Sequence, residues 1–351
     1  MIRVGIAGIG FMGMIHYLSY QKRRAGRVVA LCDRKPSRLQ GDWRDIQGNF
    51  GPPGKKMDLA GIAVTSDWEA LIADPEVDVV DICLPPAAHA EVAVAAMRAG
   101  KHVFCEKPMA LRSQDAARMG RVAAETGQHL MIGHVLPKFP EYQHALSLAE
   151  SGRYGRALGG HFRRVISDPQ WLPHYYDPQI IGGPMLDLHI HDAHFIRLLF
   201  GVPSHVMSVG RLRGEVAEYF TTQFHYESTG ACATADGGVI HQPARPFLHG
   251  FEIHFERATL AFEFQILNGE PCATLPLTLI PASGKARAVK VPPSDPMVAF
   301  EAELKAVLRG CASGNIENFL SPEPAMDAMR MCQKQTESLR GKKRVRVGSV
   351  G

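Results

Sequence analysis

Residues 2–13 read Ile2-Arg3-Val4-Gly5-Ile6-Ala7-Gly8-Ile9-Gly10-Phe11-Met12-Gly13. A short apolar run ending in glycines predicts a buried strand over 2–7, a tight turn, and a helix from about Met12 to Arg24. The spacing is G-x-G-x-x-G, which matters only because strand and helix flank it. Gly8 permits the turn, Gly10 lets a pyrophosphate approach the backbone, and Gly13 lets the helix pack close to the strand. The helix start, with Phe11 and Met12, presents free N–H groups to phosphates. Asp33 ends a second strand, Val28–Cys32. An acid there accepts bonds from adenosine ribose hydroxyls and repels a 2′-phosphate, which favours NAD over NADP; the adjoining Arg34 softens that preference. The bland alternative is a glycine-rich turn that holds no ligand.

Outward from this stretch, strands and helices alternate. Further strands are expected at Ala63–Thr65, Val77–Leu84, His102–Cys105 and Leu130–Val135. Helices are expected after Ser66 (a capping box with Glu69), over Ala87–Ala99 and from Ser113 to near Gly127. Residues 48–61 read as a loop. The pattern is α/β, a doubly wound parallel sheet over residues 1–136, with ligands at the carboxyl ends of its strands. From 137 to 351 the texture is α+β. Helices are expected at Glu141–Glu150 and Pro184–Phe200, then strands at 204–211, 217–226, 230–236, 250–256, 258–264 and 274–280. Ser228-Thr229-Gly230 and Asp236-Gly237-Gly238 read as turns, and two helices, near 296–309 and 324–339, close the chain. The second sheet should be large, open and mainly antiparallel.

Composition sets the outer limits. A length of 351 residues suggests two domains, and 46% hydrophobic with 21% charged residues excludes general disorder. No stretch nears the ~18 apolar residues of a membrane helix. A net charge of +4 is too mild to argue for nucleic acid, and the basic tail Lys342–Arg346 reads as a solvated terminal strand. Seven cysteines, none spaced C-x-x-C, disfavour a disulfide framework or zinc ribbon and fit a reducing cytoplasm. The N-terminus is too short and glycine-broken for a signal peptide.

Two further motifs carry chemistry. Glu106-Lys107-Pro108 follows a strand, so Lys107 sits where it can stabilise alkoxide charge; Pro108 fixes the chain there, with a cis bond an option. A surface Glu–Lys pair is the bland reading. The second motif is Gly182-Gly183-Pro184-Met185-Leu186-Asp187-Leu188-His189-Ile190-His191-Asp192-Ala193-His194. Asp187 and His191 stand four apart, hence on one helix face, where an acid orients an imidazole as general base. His194 is expected on the same side and His189 elsewhere. A metal held by Asp187, His189, His191 and His194 is disfavoured, because i and i+2 diverge on a helix and no H-E-x-x-H signature is present. A histidine-rich packed helix is the bland alternative.

In order, these three motifs resemble the Gfo/Idh/MocA family, named for glucose–fructose oxidoreductase and inositol dehydrogenase. Val77–Leu111 and Gly182–Gly201 carry the likeness most strongly. The resemblance implies a Rossmann domain, a C-terminal domain whose open sheet faces another subunit in a homodimer or homotetramer, and redox chemistry on a sugar, polyol or related compound. It assigns catalysis to Lys107, Asp187 and His191. Cofactor contacts fall to Gly8, Gly10, Phe11, Met12, Gly13, Asp33, Arg34, Glu106 and Lys107, with Pro85, Pro86 and His89 near the nicotinamide. Departures are His134-Val135-Leu136-Pro137-Lys138 after the sixth strand and His194 where many members have Asp. Arg163, Arg164, Trp171, His174 and Tyr175 are expected to line the substrate pocket. Two alternatives stay open: redox-neutral sugar modification or glycoside cleavage with retained NAD, and a non-catalytic NAD-sensing regulator.

Overall fold

A computed structural model describes every residue except 23–24, 171 and 349–351. The chain forms two units, Met1–Phe139 with Ser294–Met326, and Pro140–Pro293 with Asp327–Gly351. The expected division at 136/137 treated everything beyond it as one domain, whereas Ser294–Met326 joins the first unit.

The first unit holds β1 (Ile2–Ala7), α1 (Phe11–Gln21), β2 (Gly26–Cys32), α2 (Pro36–Leu39), β3 (Ala63–Thr65), α3 (Trp68–Ala73), β4 (Val79–Ile82), α4 (Pro86–Arg98), β5 (His102–Glu106), α5 (Ser113–Thr126) and β6 (Leu130–Gly133). The sheet order is β3-β2-β1-β4-β5-β6, and every pairing is parallel. Connectivity reverses between β1 and β4, so the crevice at their carboxyl ends is the expected ligand seat. Val4, Ile6, Val79, Val80, Ile82, Val103 and Phe104 are fully buried, as strands covered on both faces require. Two helix starts differ from expectation. Asp67, not Ser66, caps α3, its Oδ1 accepting from the Glu69 N–H at 2.9 Å. Ser113 is the first residue of α5 rather than its cap. The end of α1 expected at Arg24 lies outside the described residues.

The second unit begins with α6 (Pro140–Glu150) and β7 (Ala157–Ser167), then α7 (Gly183–Asp187) and α8 (Ile190–Phe200). Six long strands follow: β8 (His205–Arg213), β9 (Val216–His225), β10 (Cys232–Ile240), β11 (Phe247–Phe255), β12 (Ala258–Leu267) and β13 (Glu270–Pro281). The short β14 (Arg287–Ala288) comes before α9 (Pro296–Ser313) of the first unit, α10 (Pro322–Gly341) and β15 (Val345–Arg346). The nine strands run β14-β13-β12-β11-β7-β10-β9-β8-β15, and only β7–β10 is parallel. The central strand β7 has no counterpart in the sequence reading. Its Gly159-Gly160 and Arg163-Arg164 hide the apolar alternation. A Cβ at Gly159 would stand 2.1 Å from the Cys232 carbonyl oxygen, and one at Gly160 2.5 Å from that of Glu252, so the glycines serve close strand approach. Asp236-Gly237-Gly238 is likewise no turn but the middle of β10. A Cβ on Gly237 would fall 2.7 Å from the Phe220 ring and 3.5 Å from His189 Nδ1.

The helix expected over Pro184–Phe200 is two helices. The N–H groups of Leu188 and His189 both return to the Pro184 carbonyl, at 3.1 and 2.8 Å. The second of these spans five residues and closes α7 instead of extending it. His189 then stands at the N-cap of α8, fully buried and edge-on to Phe220 with centroids 5.0 Å apart. Asp192, the third residue of α8, meets Arg164 of β7 in a bidentate pair, Nε–Oδ2 2.7 Å and Nη2–Oδ1 3.1 Å, both side chains buried. Burial pushes the Asp192 carboxyl up even against the Arg164 guanidinium. Desolvation thus consumes much of the attraction, and the pair fixes where α8 sits more than how stable the unit is. Asp192→Ala should therefore cost about 3–5 kcal/mol by leaving a buried guanidinium uncompensated, while an apolar double replacement of Arg164 and Asp192 recovers most of that loss. Urea denaturation of the three proteins checks this; a single-variant cost under about 1 kcal/mol, the surface-pair level, would contradict it.

Candidate active site

At the β1–α1 turn, Gly8 adopts φ +99°, and a Cβ there would stand 2.6 Å from the Cys83 carbonyl oxygen. A Cβ on Gly13 would fall 1.9 Å from the Gly8 carbonyl oxygen, so only glycine lets α1 start this close to β1. Gly10 is the N-cap of α1, has no side-chain cap, and faces open space on its Cβ side. The first N–H groups of α1 are therefore exposed to an anion in a cradle without side chains. Phe11 and Met12 turn their side chains into an apolar cluster with Ile15, Phe50 and Phe300, which leaves their backbone at the cradle. The residues present fit a dinucleotide pyrophosphate.

Asp33 follows β2. Its Oδ2 accepts from the Ile9 N–H at 2.8 Å and its Oδ1 from the Lys35 N–H at 2.8 Å. This ties the acid to the glycine turn while leaving lone pairs for ribose hydroxyls. Arg34 is exposed. The nearer guanidinium is that of Arg38, 3.5 Å from Asp33 Oδ2 and 3.0 Å from Asp45.

At the β4 end, Pro85 is the exposed N-cap of α4. His89 is buried, with Nδ1 2.8 Å from the Pro108 carbonyl oxygen and Nε2 2.8 Å from that of Leu84. Burial pushes its pKa down. Each ring nitrogen faces a backbone carbonyl oxygen, one at the turn after β4 and one at the bend after β5, and the single N–H of the neutral ring donates to one of them. The Lys107–Pro108 peptide is cis. Lys107 is half-buried at the carboxyl end of β5, and its N–H donates to Glu106 Oε2 at 3.2 Å. The Glu106 carboxylate turns inward, its Oε1 3.2 Å from His16 Nε2.

His16 is a residue the sequence reading passed over. It lies three positions beyond Gly13, fully buried, with Nδ1 3.0 Å from Asp81 Oδ2 and 3.3 Å from Cys83 Sγ. Burial opposes its charge, yet Asp81 and Cys83 beside it hold its pKa well above the ordinary imidazole value. The signal available in the sequence is Asp81 itself, an acid inside the apolar strand Val79-Val80-Asp81-Ile82, which is costly unless paired. His16, Asp81 and Cys83 are also the group, among the described residues, whose donor atoms come within 4.8 Å of one another as a metal site would need. Their mutual hydrogen bonds account for the clustering.

In the second unit, Asp187 is the last residue of α7 and His191 lies in the first turn of α8. The expectation that they share one helix face is overturned, because the break at Leu188–His189 separates them. Both are half-buried, whereas His189 and His194 are fully buried. Burial, then Arg164, pushes His189 down to about 3, so it is a neutral packing residue rather than a base. A cavity of about 740 Å³ opens in this unit, lined by Gln170, Leu172, His174, Tyr175, Tyr176 and Arg213. The expected lining residues His174 and Tyr175 are there. Arg164 is instead buried against Asp192, Arg163 pairs with Glu263 at 2.7 Å, and Trp171 lies outside the described residues. Burial, then the Asp187 charge, pushes the Tyr175 phenol well up. Across from it, Arg213 lies 4.0 Å over the Tyr176 ring and pairs with Asp168 at 3.1 Å.

Comparison with known proteins places the chain in a family. Residues 2–134 match the model of an oxidoreductase family with an NAD-binding Rossmann fold, GFO_IDH_MocA, and residues 142–261 match the GFO/IDH/MocA C-terminal domain. A 1,5-anhydro-D-fructose reductase from Ensifer adhaerens is 30% identical over 254 residues, 70% of this chain and 72% of the relative. A 1-carboxy-3-chloro-3,4-dihydroxycyclo hexa-1,5-diene dehydrogenase from Comamonas testosteroni is 32% identical over 206 residues. That match spans 56% of this chain but only about half, 47%, of the relative. Among solved structures, a levoglucosan dehydrogenase in complex with NADH and levoglucosan superposes with a TM-score of 0.80 at 20% identity, covering 99% of this chain and 100% of that one. The two domain models in succession, and the reductase matched over more than two thirds of its length, show that the chain belongs to the Gfo/Idh/MocA oxidoreductase family.

Proposed function

We propose that the protein transfers a hydride between NAD and a carbinol carbon of a sugar, polyol or related compound. One observation carries the cofactor half of this reading: an uncapped helix start at a Gly8–Gly13 turn, open on the Gly10 side, with Asp33 bonded to the same turn. The substrate half is supported by the relatives, which are named as a 1,5-anhydro-D-fructose reductase and an inositol 2-dehydrogenase.

Bound at that turn, the nicotinamide supplies hydride exchange with the substrate carbon. The chain's own groups handle the proton and the charge. His191 takes the hydroxyl proton as general base, on the imidazole that is the side chain suited to that work near neutrality. Lys107 donates to the developing alkoxide and stabilises its charge. Asp187, beside Tyr175, orients substrate hydroxyls. Glu106 serves Lys107 by holding its backbone N–H, and His89 serves it by fixing the Pro108 carbonyl. Asp33 accepts from the ribose and disfavours a 2′-phosphate, with Arg38 tempering that preference.

The same reading extends to the surroundings. A homodimer or homotetramer through the open sheet is supported by Val209, Leu275 and Ile280, exposed at 57%, 39% and 45% on β8 and β13. A cytoplasmic location is supported by seven cysteines that are all free, and no helix among the described residues is long and apolar enough to cross a membrane.

Lys107→Ala and His191→Ala should each lower kcat/KM by about 10²–10⁴ while leaving the NAD⁺ dissociation constant within a few-fold. A polyol and sugar screen followed by NADH absorbance, with binding read by titration, tests this; unchanged turnover in either variant removes that residue from the mechanism. Asp33→Ala should weaken NAD⁺ by about 1.5–3 kcal/mol through the lost charged hydrogen bonds and narrow the gap to NADP⁺. Parallel titrations with both nucleotides measure it, and an unaltered NAD⁺ to NADP⁺ ratio counts against the assignment.

A further inference from the structure

Beneath Lys107 lies a chain of buried ionisable groups, of which the proposed mechanism uses only Glu106. Asp81 stands on β4, His16 on α1 and Glu106 on β5. Each imidazole nitrogen of His16 faces a different carboxylate, Nδ1 at 3.0 Å from Asp81 and Nε2 at 3.2 Å from Glu106. Nδ1 makes a hydrogen bond to Asp81, while the Nε2 contact with Glu106 lacks hydrogen-bond alignment and is an ion pair, one that exists only when the ring is the imidazolium. The ring stacks on Phe104 at 5.5 Å, approaches Phe300 at 5.9 Å, and is fully buried. Glu303, on α9, feels the charges of Glu106, His16 and Asp81. It is fully buried, and neither carboxyl oxygen has a hydrogen-bond partner among the described residues. A carboxylate so placed would face Glu106 and Asp81 with nothing to solvate it.

The remaining groups facing this cluster are few. Cys83 lies 3.4 Å from Asp81 Oδ1, and burial pushes its thiol up beyond ionisation. The Tyr20 phenol faces Asp81 and is pushed up by burial. Lys138 is the other cation whose field reaches Glu303, and its ammonium is already bonded to Glu317 at 2.7 Å. On the far side, β6 leaves space: a Cβ on Gly133 would stand 3.1 Å from Glu106 Oε1.

We infer that His16 is a resident imidazolium and Glu303 a resident carboxylic acid, and that both are positioning residues for Lys107, acting through the Glu106 carboxylate. His16 holds the Glu106 carboxylate in place, Glu106 Oε2 takes the Lys107 N–H, and an uncharged Glu303 adds no further negative charge beside them. The inference rests on Lys107 as the group that stabilises the alkoxide, but its test does not require turnover.

Two measurements on the full-length protein decide it. In [¹⁵N]histidine-labelled protein, the His16 resonances, assigned by their loss in His16→Gln, should report two protonated ring nitrogens at about pH 8.5, some two units above the ordinary imidazole value. A neutral tautomer at that pH overturns the charge assignment. Competitive acetylation with acetic anhydride, read by peptide mass spectrometry, should show the Lys107 rate altered several-fold in His16→Gln while lysines on the opposite sheet edge keep theirs. An unchanged Lys107 rate overturns the positioning role.

Glu303 has its own readout, with a definite sign. A carboxyl whose pKa is raised on folding binds more protons folded than unfolded. Its contribution is therefore present at low pH and lost as pH rises above the ordinary carboxyl range. Burial, with Glu106 next, pushes Glu303 well up. Glu303→Gln should thus gain stability relative to wild type as pH rises from 5 to 8, whereas a constant loss at all pH values would show an ionised, paired Glu303 and overturn its part. Should wild-type protein turn over nothing in the substrate screen, the functional reading fails while these measurements stand.

Discussion

The close approach of α1 to β1 governs the first unit. With a Cβ on Gly13 the Gly8 carbonyl oxygen would be met at 1.9 Å, so the helix can begin here only as a glycine. That contact does three things at once. It points uncapped N–H groups into open space at Gly10, it lets the Ile9 N–H reach Asp33, and it drives the inner face of α1 down onto β4 and β5. The third consequence brings His16 between Asp81 and Glu106, so that the glycine turn is physically linked to the backbone of Lys107. The glycine turn and the Glu106-Lys107 motif, nearly a hundred residues apart in sequence, thereby meet through one buried cluster.

The second unit reaches a comparable result by other means. There the constraint is a bidentate Arg164–Asp192 pair from β7 to the first turn of α8. It arrives just after α7 has closed on the Pro184 carbonyl and His189 has settled on Phe220, over the space left by Gly237. Asp187 is thereby left at a helix end, where an acid loses the favourable N-terminal dipole and answers instead to the Tyr175 side of the cavity. His191 enters at the N-terminal turn of α8.

Legibility in the sequence followed the physics of each signal. Strands β1, β2, β4, β5 and β6 are short apolar runs between glycines or prolines, and such runs declare themselves without tertiary information. The glycine turn and Asp33 were legible because both the residue types and their spacing are dictated by one ligand geometry. β7 was not, because its two glycines and two arginines serve neighbours across the sheet and into α8, which local alternation does not register. Asp236-Gly237-Gly238 was misread for the same reason: glycine at a turn and glycine under a buried ring look alike in sequence. The break between α7 and α8 was hidden because Leu188 and His189 are acceptable helix residues; burial of His189, not propensity, ends α7. His16 was overlooked as one histidine among 16, though Asp81 within a buried strand implied a cation opposite it.

The central claim is that a hydride passes directly between nicotinamide and a substrate carbon in this protein. Its most direct test supplies NADH deuterated at C4 together with a panel of cyclic keto-sugars and ketopolyols, and follows products by mass spectrometry and NMR. The account predicts one deuterium, bound to carbon at the newly formed carbinol centre, transferred from a single face of the nicotinamide. Product that forms without carbon-bound deuterium, or deuterium that stays wholly in the cofactor across the panel, would contradict it.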